Sequence, residues 1–341
     1  MRIISCASYY GTGSSAIIDY LSEFDNCQSL TNYEFRFVQD PDGISDLEFN
    51  LVENHNRHNS GHALKKYKRM VDFFAGNRFI KRYKPFFDNQ WKKISYEYID
   101  ELTDFKYKGY WYYDVIERGR LFNFYKRTIN KIMQHTFWRG QESRNINEMP
   151  WEMTLCSRPR QEKFLECTRR YIDRLFSIPN KDNKSNILVD QIVPPSNLDR
   201  FLRYFNDIKV FVVDRDPRDV YLLAKYVWRI HIIPTESAEV FCNWYVYTRA
   251  HRITEVYNQE KVMFLRFEDL IYKYNKTTST IKEFLGFSEE EHVVPKQYFD
   301  PSISIKNTRL WEKLNGHDDE VKYIQKTLPQ YLYNYEEVGL K

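Results

Sequence analysis

Residues 2–15 read R-I-I-S-C-A-S-Y-Y-G-T-G-S-S, and this stretch decides the fold that we expect for the chain. The apolar run Arg2–Ala7 predicts a short buried strand. Ser8–Gly13 is rich in small residues and predicts a loop. Apolar residues then recur at helical spacing, so a helix should begin near Ser14. A strand, a tight loop and a helix in this order favour an α/β unit.

The loop has the composition of a phosphate cradle. Glycines and small residues let backbone N–H groups converge on an anion, and the N-terminus of the next helix adds a partial positive charge. The loop lacks the lysine of the pattern G-x-x-x-x-G-K-[ST]. A tight turn with a serine N-cap is the alternative interpretation. The residues predicted to bind an anionic ligand here are Tyr10, Gly11, Thr12, Gly13, Ser14 and Ser15.

Strand and helix patterns alternate again in the second half of the chain. Further strands are predicted at 33–38, 186–191, 208–214 and 261–267, and helices at 198–205, after Pro217, at 237–257 and at 277–285. This alternation is typical of a parallel sheet with helices on both faces. Residues 44–180 lack it and are expected to be mainly helical. The sequence thus predicts an α/β fold: one domain over 1–341, a core with a parallel β-sheet flanked by helices, and a large helical insertion at approximately 44–180.

The composition excludes several classes of protein. With 341 residues, 42% of them hydrophobic, and a mean hydropathy of −0.66, the chain is neither disordered nor membrane-spanning. The five cysteines include no C-x-x-C pair, so neither a zinc site nor a disulfide framework is expected. A reducing compartment, the cytoplasm, is the simplest expectation. The net charge of +4 is too small to indicate a nucleic-acid partner.

One region departs from this average. Residues 65–139 hold 18 Lys/Arg, 8 Asp/Glu and 21 aromatic residues. A basic, aromatic lobe can meet an anionic partner, a membrane surface or sugar rings. The alternative is that solvated helix faces carry the charges while the aromatic rings fill the core.

Three later segments complete the pattern that begins with the loop. They are V-V-D-R-D-P-R-D-V-Y at 212–221, V-M-F-L-R-F-E-D-L at 262–270 followed by I-K-E-F-L-G-F at 281–287, and S-I-K-N-T-R-L-W at 304–311. In this order, the four segments resemble the family of sulfotransferases that use 3′-phosphoadenosine 5′-phosphosulfate (PAPS), in its cytosolic, bacterial type. The resemblance covers residues 1–38 and 186–315; residues 44–180 match no family pattern.

The resemblance implies a P-loop-like core around the parallel sheet, and it also implies roles for named residues. The loop would bind the 5′-phosphosulfate of PAPS, and Arg215 would donate to the 3′-phosphate, which suits a planar guanidinium. The late segment would cover the nucleotide. Arg218, three residues after Arg215, is expected to be a solvated helix charge. The predicted nucleotide-covering residues are Lys306, Asn307, Arg309 and Trp311.

The chain departs from the family pattern at two positions. Gly11 stands where many members have a lysine, and Leu223 stands where many have a serine. Lys306, Arg309 or Arg36 could replace the missing cation, or the backbone cradle could suffice. The histidine base of cytosolic members is also absent after strand 186–191. Asp190 is the first candidate for the base and Glu34 the second.

The function that these residues predict is sulfuryl transfer from PAPS to an acceptor hydroxyl by in-line displacement, with no metal required. A carbohydrate acceptor is favoured and a sterol or lipid comes next, with 44–180 on the acceptor side. The expected partners are a small-molecule or glycan acceptor, with no nucleic acid and no stable membrane insertion. Two alternatives remain open: a P-loop kinase-like nucleotide enzyme, and a non-catalytic nucleotide- or glycan-binding module.

Overall fold

A five-stranded parallel sheet forms the centre of the molecule. The computed structural model describes residues 1–77, 79–109, 111, 113–141, 143–146 and 152–340. The strand order is β2-β5-β1-β6-β7, and every neighbouring pair is parallel. The strands are β1 (Arg2–Ser8), β2 (Cys27–Glu34), β5 (Asn186–Asp190), β6 (Ile208–Asp214) and β7 (Val262–Arg266). The α/β class and the parallel sheet predicted from the sequence are therefore confirmed.

Fourteen α-helices lie in the described part of the chain. They are α1 (Ser14–Leu21), α2 (Ile44–Glu48), α3 (Arg57–Ala75), α4 (Trp91–Leu102), α5 (Asp114–His135), α6 (Gln161–Ser177), α7 (Leu198–Leu202), α8 (Pro217–Leu222), α9 (Ala238–Arg249), α10 (Phe267–Tyr272), α11 (Tyr274–Leu285), α12 (Pro301–Ser304), α13 (Leu310–Lys313) and α14 (Asp318–Thr327). None of these described helices has the length and apolar character needed to cross a bilayer.

The sheet forms because its inner strands are apolar on both faces. β5 is buried at every position, and β6 at every position except Lys209. Strands buried on both faces are typical of parallel sheets covered by helices. One face packs with α4 and α6, and the other with α1 and α11. β1 lies between β5 and β6, so its carboxyl end opens at the middle of the sheet.

The second strand begins six residues earlier than predicted and ends four residues earlier. The prediction placed it at 33–38, whereas β2 spans Cys27–Glu34 and the backbone turns at 37–39. Phe35, Phe37 and Val38 are fully buried, but they enter the core from this turn. The apolar run at 33–38 therefore reflects the burial of its side chains and not an extended backbone. β2 itself is more polar because it is an edge strand.

Residues 44–180 are mainly helical, as predicted, and they also contain a small antiparallel sheet. Its strands are β3 (Phe105–Gly109) and β4 (Glu152–Cys156), paired from Phe105 with Cys156 to Gly109 with Glu152. The buried aromatic side chains of α3 and α4, including Tyr67 and Trp91, belong to the same hydrophobic cluster as residues of the parallel sheet.

Candidate functional site

The carboxyl ends of the parallel strands surround one cleft of about 380 Å³. In open α/β sheets, ligands bind at this edge, where neighbouring connections leave in opposite directions. The centre of the sheet meets this condition, because β1 is flanked by β5 and β6. The residues that line the cleft are Ser8, Tyr10, Gly11, Gly13, Ser14, Ser15, Glu34, Asp190, Gln191, Arg215, Trp228, Ile230, Ile232, Phe267 and Asn307.

The loop between β1 and α1 turns through left-handed backbone conformations. Tyr10 and Gly11 both have φ 67°, and Gly13 has φ 93°. A Cβ on Gly13 would lie 2.5 Å from the ring of Phe267, and one on Gly11 would lie 3.1 Å from Ile233. Gly13 is therefore required by conformation and by space, whereas a side chain at Gly11 would be strained and in tight contact with Ile233. This turn leads directly into the N-terminus of α1, with Ser14 and Ser15 at the cleft.

Thr12 holds this loop to the sheet. Its side chain is fully buried, and its hydroxyl donates to the backbone carbonyl of Val213 on β6 over 2.7 Å. The hydroxyl is thus engaged by the protein, and Thr12 is not among the cleft-lining residues. Of the six loop residues predicted to bind an anion, Thr12 alone is placed away from the cleft.

Arg215 follows β6 and extends into the cleft from the side opposite Asp190. It is 2% exposed, and its guanidinium stacks on Phe267 at 4.4 Å from the ring centre. One terminal nitrogen donates to the carbonyl of Asn307, and the other is 3.5 Å from the carbonyl of Gly11. The Nε atom is buried without a hydrogen-bond partner. A buried cationic donor with unused capacity is suited to an anionic ligand.

Asp190 ends β5 and places a carboxyl group in the same cleft. It is 4% exposed, and its Oδ1 has no hydrogen-bond partner. Burial, reinforced by the negative charge of Glu34, raises its pKa to about 7. Glu34 pairs with Asp190 in the sheet register but is half-exposed, with Arg36 3.8 Å away. The pKa of Asp190, the first of the two predicted base candidates, therefore suits proton transfer near neutral pH.

Gln191 connects the strand ends to the loop. Its side-chain amide donates to the hydroxyls of Ser8 (2.8 Å) and Ser14 (3.2 Å). Gln191 has φ 56°, an uncommon value for a residue with a side chain. Sequence reasoning did not single out Gln191, although it follows Asp190 directly.

A second cleft of about 420 Å³ adjoins the first through Ser8, Tyr10 and Gln191. Arg36 lies at its wall, bonded to Asp40 and 3.4 Å from the Tyr10 hydroxyl. His251 also lines it. The remaining wall comes from Tyr9, Gln39, Pro194, Pro195, Ser196, Tyr247 and Thr248. Among the residues that the structure describes around these two clefts, none belongs to 44–180.

His251 is a functional candidate that the sequence did not reveal. One ring nitrogen lies 2.8 Å from Glu255, and the other lies 2.9 Å from the Tyr9 hydroxyl. Glu255 in turn accepts from the backbone N–H groups of Asn197 and Leu198. His251 follows α9 and lies outside every motif considered, so only the fold brings it to Tyr9.

The late segment contributes less to the cleft than predicted. Asn307 lines the cleft, whereas Lys306, Arg309 and Trp311 are not among its lining residues. The guanidinium of Arg309 pairs with Glu312, and Lys306 is exposed. Of the three cations considered as replacements for the missing lysine, Arg36 is the one that contacts a loop side chain, Tyr10.

Arg218 is buried, which corrects the prediction of a solvated charge. It makes two side-chain hydrogen bonds to Asp216, of 2.9 and 2.7 Å, and its guanidinium lies 3.7 Å from the centre of the Trp311 ring. The Trp311 ring therefore covers a structural ion pair. The segment after β6 thus contains two arginines with different surroundings: Arg215 faces the cleft and Arg218 faces the core.

A buried ion network supports the end of β6. Asp214 accepts from Arg249 over 2.7 Å and from Arg252 over 2.6 Å, and the hydroxyl of Tyr245 lies 3.2 Å away. Burial opposes ionisation of Asp214, but the charge of Arg249 and then that of Arg252 hold its pKa well below the usual range. Arg249 stacks on Tyr245 and Tyr9. This network fixes the strand end from which Arg215 projects.

A metal centre is not indicated where the structure can be described, since no group of three metal-ligating side chains is found there. His55, His58 and His62, which share a spacing of three and four residues, do not converge. His55 lies before α3 and bonds to the carbonyl of Ser157, while His62 pairs with Glu117.

The comparisons with known proteins give matches among solved structures. No family model matches the chain, and no curated protein matches it. Among solved structures, the sulfotransferase STF9 of Mycobacterium avium is 13% identical over 97% of this chain and 76% of its own, with a TM-score of 0.38. The sulfotransferase STF1 of Mycobacterium tuberculosis H37Rv is 13% identical over 90% of this chain and 76% of its own, with a TM-score of 0.34. Similarity at this level does not assign an activity.

Proposed function

We propose that this chain is a sulfotransferase that moves the sulfuryl group of PAPS to an acceptor hydroxyl. The observation that carries the proposal is the content of the 380 Å³ cleft. It combines a glycine-rich turn at a helix N-terminus, a buried guanidinium with an unpaired Nε, and a carboxyl group whose pKa is about 7. These three features meet the needs of an anionic donor and a proton acceptor in one reaction.

The donor would occupy the side of the cleft formed by the loop and β6. The turn at Gly11–Ser15 suits the 5′-phosphosulfate, because small residues leave its backbone open to an anion. Arg215 suits the 3′-phosphate, since it is buried, rigidly stacked and has a free donor. The apolar side chains of Trp228, Ile230 and Ile232 offer a wall for the adenine ring.

Asp190 would act as the base. In its ionised form it accepts the acceptor's hydroxyl proton as the acceptor oxygen bonds to sulfur. The bond from sulfur to the bridging oxygen breaks, and 3′,5′-bisphosphoadenosine leaves. Because Gly11 replaces the lysine expected at the leaving oxygen, backbone N–H groups of the turn would stabilise the charge that develops there.

The acceptor would enter through the second cleft, which shares Ser8, Tyr10 and Gln191 with the first. Tyr10 and Tyr247 offer ring faces there, and Arg36 offers a charged group. These groups favour a carbohydrate acceptor over a sterol or lipid. The acceptor side would then be built from 36–39, 194–196 and 247–251, and not from 44–180.

Transfer from radiolabelled PAPS to a panel of sugars, phenols and sterols tests the proposal. We expect a labelled sulfated product together with 3′,5′-bisphosphoadenosine. The rate should rise with pH, with a midpoint at about 7, as Asp190 loses its proton. Asp190→Asn should lower the rate by at least about a hundredfold while retaining binding of the bisphosphate. Binding of the bisphosphate without transfer to any acceptor, or transfer of the γ-phosphate of ATP, would contradict the proposal.

A further inference from the structure

We propose that α5 attaches the protein to the surface of an anionic lipid membrane. This inference is independent of the proposed function, because none of the described residues of α5 lines either cleft. It starts from an unusual property of the helix. The side chain of Glu117, near the start of the helix, is buried against His62 and Arg69. Among the described residues 120–135, however, none is buried, although many of them are large and apolar.

The exposed apolar side chains share one face of the helix. Gly119 interrupts the helical backbone with φ 79° and ψ −178°, so residues 120–135 form the continuous part. Counted from position 121, positions 124, 125, 128 and 132 lie three, four, seven and eleven residues further on. All five positions therefore share one face of the helix. Leu121 is 87% exposed, Phe124 72%, Tyr125 61% and Ile132 55%. Phe137, just beyond the helix, is 79% exposed.

Basic residues accompany this face. Residues 118–139 contain six Lys/Arg and no Asp/Glu, in a chain whose net charge is only +4. Three of these basic residues are exposed: Arg120, Arg127 and Lys131. The second and third lie seven and eleven positions after the first, so the three side chains form a strip beside the apolar face. Bulky apolar groups on one side and adjacent cations are the features of a helix that lies in a membrane interface.

Charge decides between the possible occupants. If the face paired with itself, a second copy of the chain would bring its own three strip cations against Arg120, Arg127 and Lys131, which opposes close approach. An anionic lipid surface neutralises the cations and accepts the apolar side chains at the same time. Aromatic residues such as Phe124 and Tyr125 are well suited to the headgroup region. The helix would lie in the surface plane, without crossing the bilayer.

Vesicle co-sedimentation of the full chain tests this inference. Vesicles of phosphatidylcholine alone are compared with vesicles holding one part phosphatidylglycerol to three parts phosphatidylcholine. We expect binding to the anionic vesicles, at least about tenfold weaker binding to the neutral ones, and release at high salt. Leu121→Ser with Phe124→Ser, and separately Arg127→Glu with Lys131→Glu, should each weaken binding at least about tenfold.

Matched substitutions on other surfaces provide the controls. Lys322→Glu with Lys326→Glu makes the same change of charge at the same spacing on α14, where both lysines are exposed. Ile253→Ser with Val256→Ser removes two exposed apolar side chains elsewhere. Both controls should bind like the unchanged protein, and all variants should keep its circular dichroism spectrum.

Three outcomes would overturn the inference. The first is that the unchanged protein does not bind anionic vesicles. The second is that the controls lose as much binding as the α5 variants, which would indicate non-specific attraction. The third is that light scattering finds a dimer which the α5 variants convert to a monomer while the vesicles remain unbound, which would assign the face to a second copy of this chain.

Discussion

Asp190 is a buried carboxyl group that the protein leaves without a full set of hydrogen bonds. Its Oδ1 has no partner and its pKa is raised to about 7. Such a group binds its proton more tightly in the folded state than in the unfolded state. Its ionisation therefore destabilises the fold increasingly as pH rises from about 4 to about 7, and by a constant amount above that.

Asp190→Asn should therefore stabilise the protein at alkaline pH. We expect a gain of about 1–4 kcal/mol at about pH 8 and almost none at about pH 4. Urea denaturation at several pH values, with Asp182→Asn as the exposed control, measures this difference. A variant that is less stable than the parent throughout would show that the Asp190 carboxylate is held by stabilising contacts, contrary to this account.

Single residues differ in how far the sequence could predict their surroundings. Arg215 and Asp190 could be located because each lies at the carboxyl end of a recognisable buried strand. Arg218 could not be read correctly, because its burial depends on Trp311 and Asp216 together. His251 could not be found at all, since its contact with Tyr9 spans 242 positions of sequence.

At the scale of elements, the turn between β1 and α1 is constrained both by backbone conformation and by space. Gly13→Ala would place a methyl group 2.5 Å from the Phe267 ring at φ 93°. We expect this variant to lose about 2–4 kcal/mol of stability and most of its affinity for 3′,5′-bisphosphoadenosine. Gly316→Ala is the control, since it also has positive φ but no atom lies within 4 Å of its Cβ position. Denaturation and calorimetry together measure both effects; equal losses for the two variants would assign the effect to backbone strain alone.

The bounds of individual strands differ in how well the sequence pattern predicts them. β5 and β6 are apolar on both faces and bounded by turns, so their extent was predictable to within a residue. β2 was placed too late because burial of Phe35 and Phe37 from a turn produces the same alternation as a strand. The pairing of β3 with β4 joins segments about 45 residues apart, and no local signal specifies it.

For the whole molecule, the alternation of strands and helices was enough to predict a parallel sheet with helices on both faces. The location of the clefts followed from that topology, because the loop and the strand ends meet at one edge. The role of 44–180 did not follow. Its aromatic residues divide between a core shared with the sheet and the exposed face of α5, and composition alone cannot separate the two.

The proposed function depends on recognition of a 3′-phosphorylated adenine nucleotide by Arg215. Thermal unfolding with 3′,5′-bisphosphoadenosine, beside ADP and ATP, measures it most directly. At 100 times its dissociation constant, the bisphosphate should add about 2.7 kcal/mol of stability. Arg215→Lys should lose this selectivity, whereas Arg218→Lys should lower the starting stability and keep the selectivity. Equal stabilisation by ATP, or none by any of the three nucleotides, would contradict the central claim.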